Sequence, residues 1–151
     1  MIVRKLSDAV GTQRDVRTTS WRSLRLILAE DGMGFSFHVT TIDAGSSIEM
    51  QYRNHLESVY CIEGQGAIED LGRGIRHDIE PGIVYALDQH DRHRLHATTK
   101  LVLACVFNPP LQGREVHDRS GSYPAAQIGS VDEGSRGTPV SAAPAAPPER
   151  H

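Results

Sequence analysis

Phe35-Ser36-Phe37-His38-Val39-Thr40-Thr41-Ile42 alternates residue by residue, with Phe35, Phe37, Val39 and Thr41 on one parity and Ser36, His38, Thr40 and Ile42 on the other. A period of two places successive side chains on opposite sides of an extended backbone, so the stretch reads as a β-strand with two unlike faces. The reading extends outward to shorter candidates at 25–28, 48–52, 58–62, 67–71, 76–79, 84–87, 93–96 and 101–107. Turn signals separate them: Asp31-Gly32-Met33-Gly34, Ala44-Gly45-Ser46-Ser47, Glu63-Gly64-Gln65-Gly66, Gly72-Arg73-Gly74 and Glu80-Pro81-Gly82. Many short strands punctuated by glycine indicate an all-β sandwich or barrel. Residues 101–107 are apolar on both parities and are expected mid-core, covered on both sides. The helical signal is confined to Ser7-Asp8-Ala9-Val10, where Ser7 is placed to cap a single turn before Gly11.

Composition limits what such a domain does. The chain has 151 residues, 38% hydrophobic and 5% aromatic, with a net charge of −3. It lacks the basic excess of a dedicated nucleic-acid binder, so no nucleic-acid partner is expected. No apolar run approaches the roughly 18 residues of a membrane helix, and the N-terminus has no apolar signal core, so no membrane partner and a cytoplasmic location are expected. Cys61 and Cys105 lie in apolar runs and read as reduced core thiols. Beyond Pro124 the character changes: Ala, Pro, Gly and Ser fill sixteen of residues 125–151. That segment carries too little apolar surface to offset chain entropy and reads as a disordered tail, leaving 1–124 as the folded unit.

Two stretches place a cavity. The first is His55-Leu56-Glu57-Ser58-Val59-Tyr60-Cys61-Ile62-Glu63-Gly64-Gln65-Gly66, and the second is Pro81-Gly82-Ile83-Val84-Tyr85-Ala86-Leu87, leading to His93. Together they resemble the two motifs of the cupin superfamily, a jelly-roll barrel that encloses a small ligand and often a metal. The match keeps Glu57 with Gly64 and Gly82 with His93. Met50 and Tyr52 stand where most cupins carry two further metal-binding histidines.

These departures resemble the ectoine synthase family of cupins. The resemblance also rests on Trp21-Arg22-Ser23-Leu24-Arg25-Leu26, Asp31-Gly32-Met33-Gly34-Phe35-Ser36-Phe37-His38, Tyr85-Ala86-Leu87-Asp88, and Cys105-Val106-Phe107-Asn108-Pro109-Pro110-Leu111. It continues through Gly113-Arg114-Glu115-Val116-His117-Asp118 and Gly121-Ser122-Tyr123-Pro124, spanning about 1–124. It implies a cupin jelly roll with one or two short helices. It implies a hydro-lyase that cyclises N-γ-acetyl-L-2,4-diaminobutyrate to ectoine with loss of water, the last step in making that osmolyte. It also implies a homodimer and an iron(II) cofactor.

The resemblance assigns roles by position. Glu57, Tyr85 and His93 become the iron ligands; a phenolate is an unusual member and needs a neighbouring cation to ionise. Trp21 and Arg25 fall at the substrate's carboxylate end, where an arginine fork matches a carboxylate. Thr40, Tyr52, Glu115 and His117 are the acid–base and orienting candidates. Glu115 and His117 share strand parity, so both can turn to the same side. Leu87, Phe107 and Pro109 are expected as apolar walls, with His55 a further substrate contact and His38 on the strand face of Thr40. Taken singly, each has a plainer reading: Glu57 a solvated strand residue, Tyr85 a core aromatic, His93 a loop histidine, and Arg25 a surface arginine beside a core Trp21.

Other cupin functions fit less well. A ligand-sensing cupin is usually attached to a helical DNA-binding effector, and no such segment is visible. Isomerases, dioxygenases and epimerases would be expected to keep the histidines that Met50 and Tyr52 replace. A degenerate paralogue would have lost functional groups that this chain retains.

Overall fold

The computed structural model describes residues 1–125. The tail boundary after Pro124 comes at the end of this range, and the disorder assigned to 125–151 falls, save for Ala125, outside the described residues. Among the described residues ten strands form two antiparallel sheets. One sheet contains β1 (Asp15–Arg17), β2 (Trp21–Ile27), β3 (Ser36–Ile42), β5 (Leu56–Glu63), β8 (Val84–Leu87) and β10 (Leu101–Asn108), in the order β1-β2-β3-β10-β5-β8. The other contains β4 (Ser47–Met50), β6 (Gly66–Asp70), β7 (Ile75–Ile79) and β9 (His93–Ala97), in the order β4-β9-β6-β7. This is the all-β jelly-roll architecture expected, with two short 3-10 turns at Leu6–Ala9 and Ala29–Asp31. Ser7 does not cap the first turn. Lys5 occupies the cap position with no side-chain bond, and Ser7 Oγ instead donates to Asp8 Oδ1 inside the turn.

The candidate strands correspond to real ones with shifted ends. β2 begins at Trp21 rather than at Arg25, and β1 was not expected at all. The reason lies in what β2 buries: Trp21, Ser23, Leu24 and Arg25 are all buried, so no apolar alternation marks its first half. Tyr52 lies beyond the end of β4, in the connection to β5.

β10 sits at the centre of the six-stranded sheet, between β3 and β5. Its coverage differs from the expectation. Leu101, Leu103, Cys105 and Phe107 are buried, but Val102, Ala104 and Val106 are only half-buried. Their neighbours on β3 are Thr41, Val39 and Phe37. Across β10, Ala104 pairs with Tyr60, which in turn pairs with Val84, and both of these are exposed. One face of β10 closes on the interior, and the other belongs to an outer apolar face left uncovered among the described residues.

The same pairing explains the unlike faces of 35–42. Ser36, His38 and Ile42 turn inward while Phe37 and Val39 turn out. The more polar side faces the interior because that interior holds a lined cavity as well as packed core.

Gly64 permits the tight passage from β5 to β6. Its φ is +97°, and a Cβ there would lie 2.1 Å from the Lys100 carbonyl oxygen. Only glycine combines that backbone conformation with that approach. At the N-terminus, Arg4 forks onto both Asp31 carboxylate oxygens, at 2.9 and 2.6 Å, which holds the Asp31 carboxyl down at about 2. The Asn108–Pro109 peptide is cis.

Candidate active site

The cavity lies between the sheets and is lined from both. β3 contributes Thr40, β5 Glu57, β8 Tyr85, β10 Cys105 and Phe107, and β4 Met50. Trp21 from β2, Tyr52 and the late residues His117 and Tyr123 complete it. It is narrow: the centre of a water molecule has about 30 Å³ to explore, within about 420 Å³ of atom-free space.

Aromatic rings account for the narrowness. Tyr123 stacks on Tyr52 with centroids 5.3 Å apart and planes 4° apart. His117 lies 4.5 Å from Tyr123 and 5.4 Å from Trp21. Phe107 meets both tyrosines edge-on, at 5.3 and 5.4 Å. The Tyr52 hydroxyl is 3.1 Å from His117 Nε2 and 3.2 Å from Met50 Sδ. Burial brings the His117 imidazole down to about 4, aided by Arg25 and His93. It is therefore neutral near pH 7, and its Nε2 shares a hydrogen bond with the Tyr52 hydroxyl whose direction the ring tautomer sets, while the hydroxyl also faces Met50 Sδ as a donor. Burial holds the Tyr52 hydroxyl well above its ordinary range, so it remains a donor.

Glu57, Tyr85 and His93 all project into the space between the sheets. Glu57 is 6% exposed, and burial with no facing cation pushes its carboxyl up to about 8. Burial likewise raises Tyr85 well above the ordinary phenol range. His93 is 1% exposed, with Nδ1 2.9 Å from the Asp91 carbonyl. That contact places the ring proton on Nδ1 and leaves the Nε2 lone pair buried without a partner. A histidine oriented by a carbonyl on one nitrogen and bare on the other has the arrangement of a metal ligand. A buried carboxyl whose side-chain neighbour is the Cys105 thiol, a buried phenol and an imidazole with a bare Nε2 fit a divalent cation. Among the described residues no three His, Cys, Asp or Glu side chains form a ligand cluster, and the set depends on the phenol of Tyr85.

The remaining expected site residues divide. Trp21, Thr40, Tyr52, Phe107 and His117 line the cavity; Arg25, His55, Leu87 and Glu115 do not. Arg25 is fully buried, so its plainer reading as a surface arginine does not hold. Its guanidinium donates to the Gly113 and Glu115 carbonyls and, at 3.2 Å, to Glu115 Oε2. The Glu115 carboxylate also accepts from the Gln112 and Gly113 backbone amides. Residues 112–118 form no strand, although their extended backbone still turns Glu115 and His117 inward and leaves Val116 exposed. The two reach different places, Glu115 the Arg25 guanidinium and His117 the Tyr52 hydroxyl. His55 is buried behind the cavity wall, edge-on to Phe107 and Tyr123 at 6.3 and 6.2 Å, with Nδ1 unpartnered. Thr40 donates to Ser23 Oγ at 3.3 Å. His38 is fully buried against Phe107, 5.2 Å away, and away from the cavity lining.

Tyr123, Met50 and Cys105 were given no role from sequence. Tyr123 stands in the quoted run Gly121-Ser122-Tyr123-Pro124, and an aromatic so late in a glycine-rich segment was the signal available. It contacts Tyr52, Phe107 and His117, and the Arg25 guanidinium carbon lies 5.7 Å from its ring centroid. Residues 112–124 thus form a strap laid over the cavity, tied by Arg25 and by Asn54 Nδ2 donating to the Tyr123 carbonyl at 2.9 Å.

Residues 1–127 match the family model described as ectoine synthase. An L-ectoine synthase of Sphingopyxis alaskensis is 58% identical over 125 residues, covering 83% of this chain and 91% of that protein. One from Saccharophagus degradans is 52% identical over 132 residues, covering 87% of this chain and all of that protein. Among solved structures, the ectoine synthase of P. lautus superimposes with a TM-score of 0.76 at 47% identity, covering 90% of this chain and 99% of that one.

Proposed function

The chain belongs to the ectoine synthase family, and from that premise we propose that it cyclises N-γ-acetyl-L-2,4-diaminobutyrate to ectoine with loss of water. The observation that carries this reading is the Tyr52–His117 pair, a hydroxyl donor and a neutral imidazole 3.1 Å apart inside a narrow aromatic cavity.

The reaction sets three demands. The α-amine must be neutral, the acetamide carbonyl must be polarised, and the departing oxygen must gain protons. Enclosure by Trp21, Phe107 and Tyr123 folds a flexible substrate so that its amine meets its own carbonyl, which replaces an encounter by proximity. Tyr52 donates toward the oxygen that gains charge as the amine adds. His117, neutral and joined to the Tyr52 hydroxyl, takes up through it the proton that leaves the attacking nitrogen and returns one to the departing oxygen as water forms. Thr40 holds a polar substrate atom on the β3 wall. The strap excludes the released water, which would otherwise reopen the ring. Arg25 and Glu115 act by fixing the strap, and His55 and Leu87 by backing the walls.

Glu57, Tyr85 and His93 would hold iron(II), and carboxylate and imidazole donors suit that ion. When bound, iron(II) supplies a Lewis acid beside the cavity. The outer face of β3, β10, β5 and β8, with Phe37, Val106, Tyr60 and Val84, supports assembly as a homodimer. Among the described residues no helix is long and apolar enough to cross a membrane. The reading places the enzyme in the cytoplasm, at the last step of osmolyte synthesis.

The test is direct. Protein purified without oxygen, loaded with iron(II) and given the acetylated diamine should yield ectoine by chromatography, and a chelator should abolish it. No ectoine from folded, iron-loaded protein would reject this activity.

A further inference from the structure

A second cleft opens on the far side of Tyr85 from the cavity. It runs along the seam where the edge strand β8 of one sheet faces the β6–β7 side of the other, and its volume is about 190 Å³. Tyr85 lines both spaces, whereas His93 lines the cleft and not the inner cavity. The Nε2 of His93 is buried with no partner among the described residues, as is that of His38, which lies away from both spaces.

The charges of the cleft are one-sided. Asp70, Asp88 and Asp91 line it, against a single arginine, Arg73, and the histidine His77. Arg73 points largely outward, with 64% of its side chain exposed, and lies 3.7 Å from Asp70. Asp70 pairs with His93 across β6 and β9, and Asp91 is the residue whose carbonyl orients the His93 ring. An acidic cleft with low-dielectric walls concentrates cations and raises their rate of arrival. Oxygen donors on its walls suit a hydrated divalent ion in transit.

We infer that this Asp70–Asp88–Asp91 cleft is the route by which a divalent metal reaches Tyr85 and His93, separate from the route of the substrate. The inference rests on the metal reading of Glu57, Tyr85 and His93. The aromatic cavity is narrow and lies under the strap, whereas the cleft offers about 190 Å³. Metal therefore exchanges while the cavity is occupied, because Tyr85 stands between the two spaces and belongs to both.

The test follows cobalt(II) uptake by the full chain in stopped flow, through quenching of Trp21, the only tryptophan and a cavity residue. Asp88→Asn with Asp91→Asn should slow uptake about tenfold at low ionic strength, with the same final occupancy at saturating metal. The difference should shrink in concentrated salt, where screening shortens the reach of the charges. Arg73→Ser should speed uptake. Saturating ectoine should leave the rate unchanged. Rates indifferent to all three substitutions, or uptake halted by ectoine, would overturn the route while leaving the metal site standing. No cobalt bound by the unsubstituted protein would overturn the metal reading and the route together. Equal thermal midpoints for the variants and the parent exclude misfolding as the cause of slow uptake.

Discussion

The hydroxyl of Tyr52 and Nε2 of His117 lie 3.1 Å apart although 65 residues separate them in the chain. Tyr52 leaves the end of β4 and His117 arrives on the strap, so the pair exists only when the strap is docked. Tyr52→Phe keeps the ring stacked on Tyr123 and removes one donor. Its expected effect is a fall in kcat of about 10²-fold, the usual cost of one oxyanion donor, with iron content unchanged. Steady-state kinetics beside metal analysis checks this; an unaltered kcat would remove the hydroxyl from the proton path.

Glu57, Tyr85 and His93 are expected to fail together. Glu57→Ala, Tyr85→Ala and His93→Ala should each lose iron and activity, because each removes one donor from a set of three. Metal analysis after anaerobic loading provides the check. Full iron content in all three would reject the ligand assignment.

Much of this was legible in the sequence, and the misses share a cause. Alternation in 35–42 and the glycine turns gave the strands, because half-buried strands and tight turns leave local marks. The first half of β2 left none, since its inward side chains include Ser23 and Arg25. The outer face of β10 escaped notice because an apolar run does not say whether its second face is covered by the same chain. Arg25 was legible as a residue that grips carboxylates, but its partner was not. The guanidinium meets Glu115 and two strap carbonyls, a contact made across 90 residues. Tyr123 packs over the cavity only because the strap returns there, and no local pattern records such a return.

The Arg25–Glu115 contact makes its own prediction. Glu115 gathers the Gln112 and Gly113 amides and the Arg25 guanidinium, and so shapes the bend from which His117 is hung. Glu115→Ala should lose turnover while keeping iron and fold. Arg25→Met should cost stability, about 3 kcal/mol, because it removes at once the guanidinium's bonds to the Gly113 and Glu115 carbonyls and to the Glu115 carboxylate. Thermal melts and kinetics on the two variants separate these effects. Unchanged turnover in Glu115→Ala would remove Glu115 from the mechanism.

Acid should destabilise the fold earlier than carboxylate titration alone would. His38 and His117 are buried and neutral, His38 well below its ordinary value and His117 at about 4. Above pH 6.5 folded and unfolded chains are both neutral at these positions and their share of stability is complete, while Glu57, raised to about 8, acts in the opposite direction as pH climbs toward that value. As pH falls from about 6.5 toward 4, the unfolded chain binds protons that the folded chain refuses, so stability declines. The thermal midpoint should drop across that window. His38→Leu should flatten the decline by one proton's share, and an identical slope in that variant would show that His38 is not among the groups responsible.

Gly121 fixes where the strap lands. Its φ is +75°, and a Cβ would lie 2.7 Å from the Glu49 carbonyl oxygen and 2.8 Å from Met50 Cα. Both are β4 backbone atoms, which cannot swing aside as a flexible side chain would. The Gly121 carbonyl accepts the Gln51 amide at 3.2 Å, so this close approach seats the strap beside Tyr52. Gly121→Ala combines backbone strain with that clash, at a cost of about 2–3 kcal/mol. The cost is released by lifting the strap rather than by unfolding the sheets. The variant should therefore keep its iron and most of its thermal midpoint but lose kcat, because His117 and Tyr123 leave the cavity with the strap. A large fall in midpoint with kcat preserved in the remaining folded protein would mean that the segment is part of the core rather than a strap over the site.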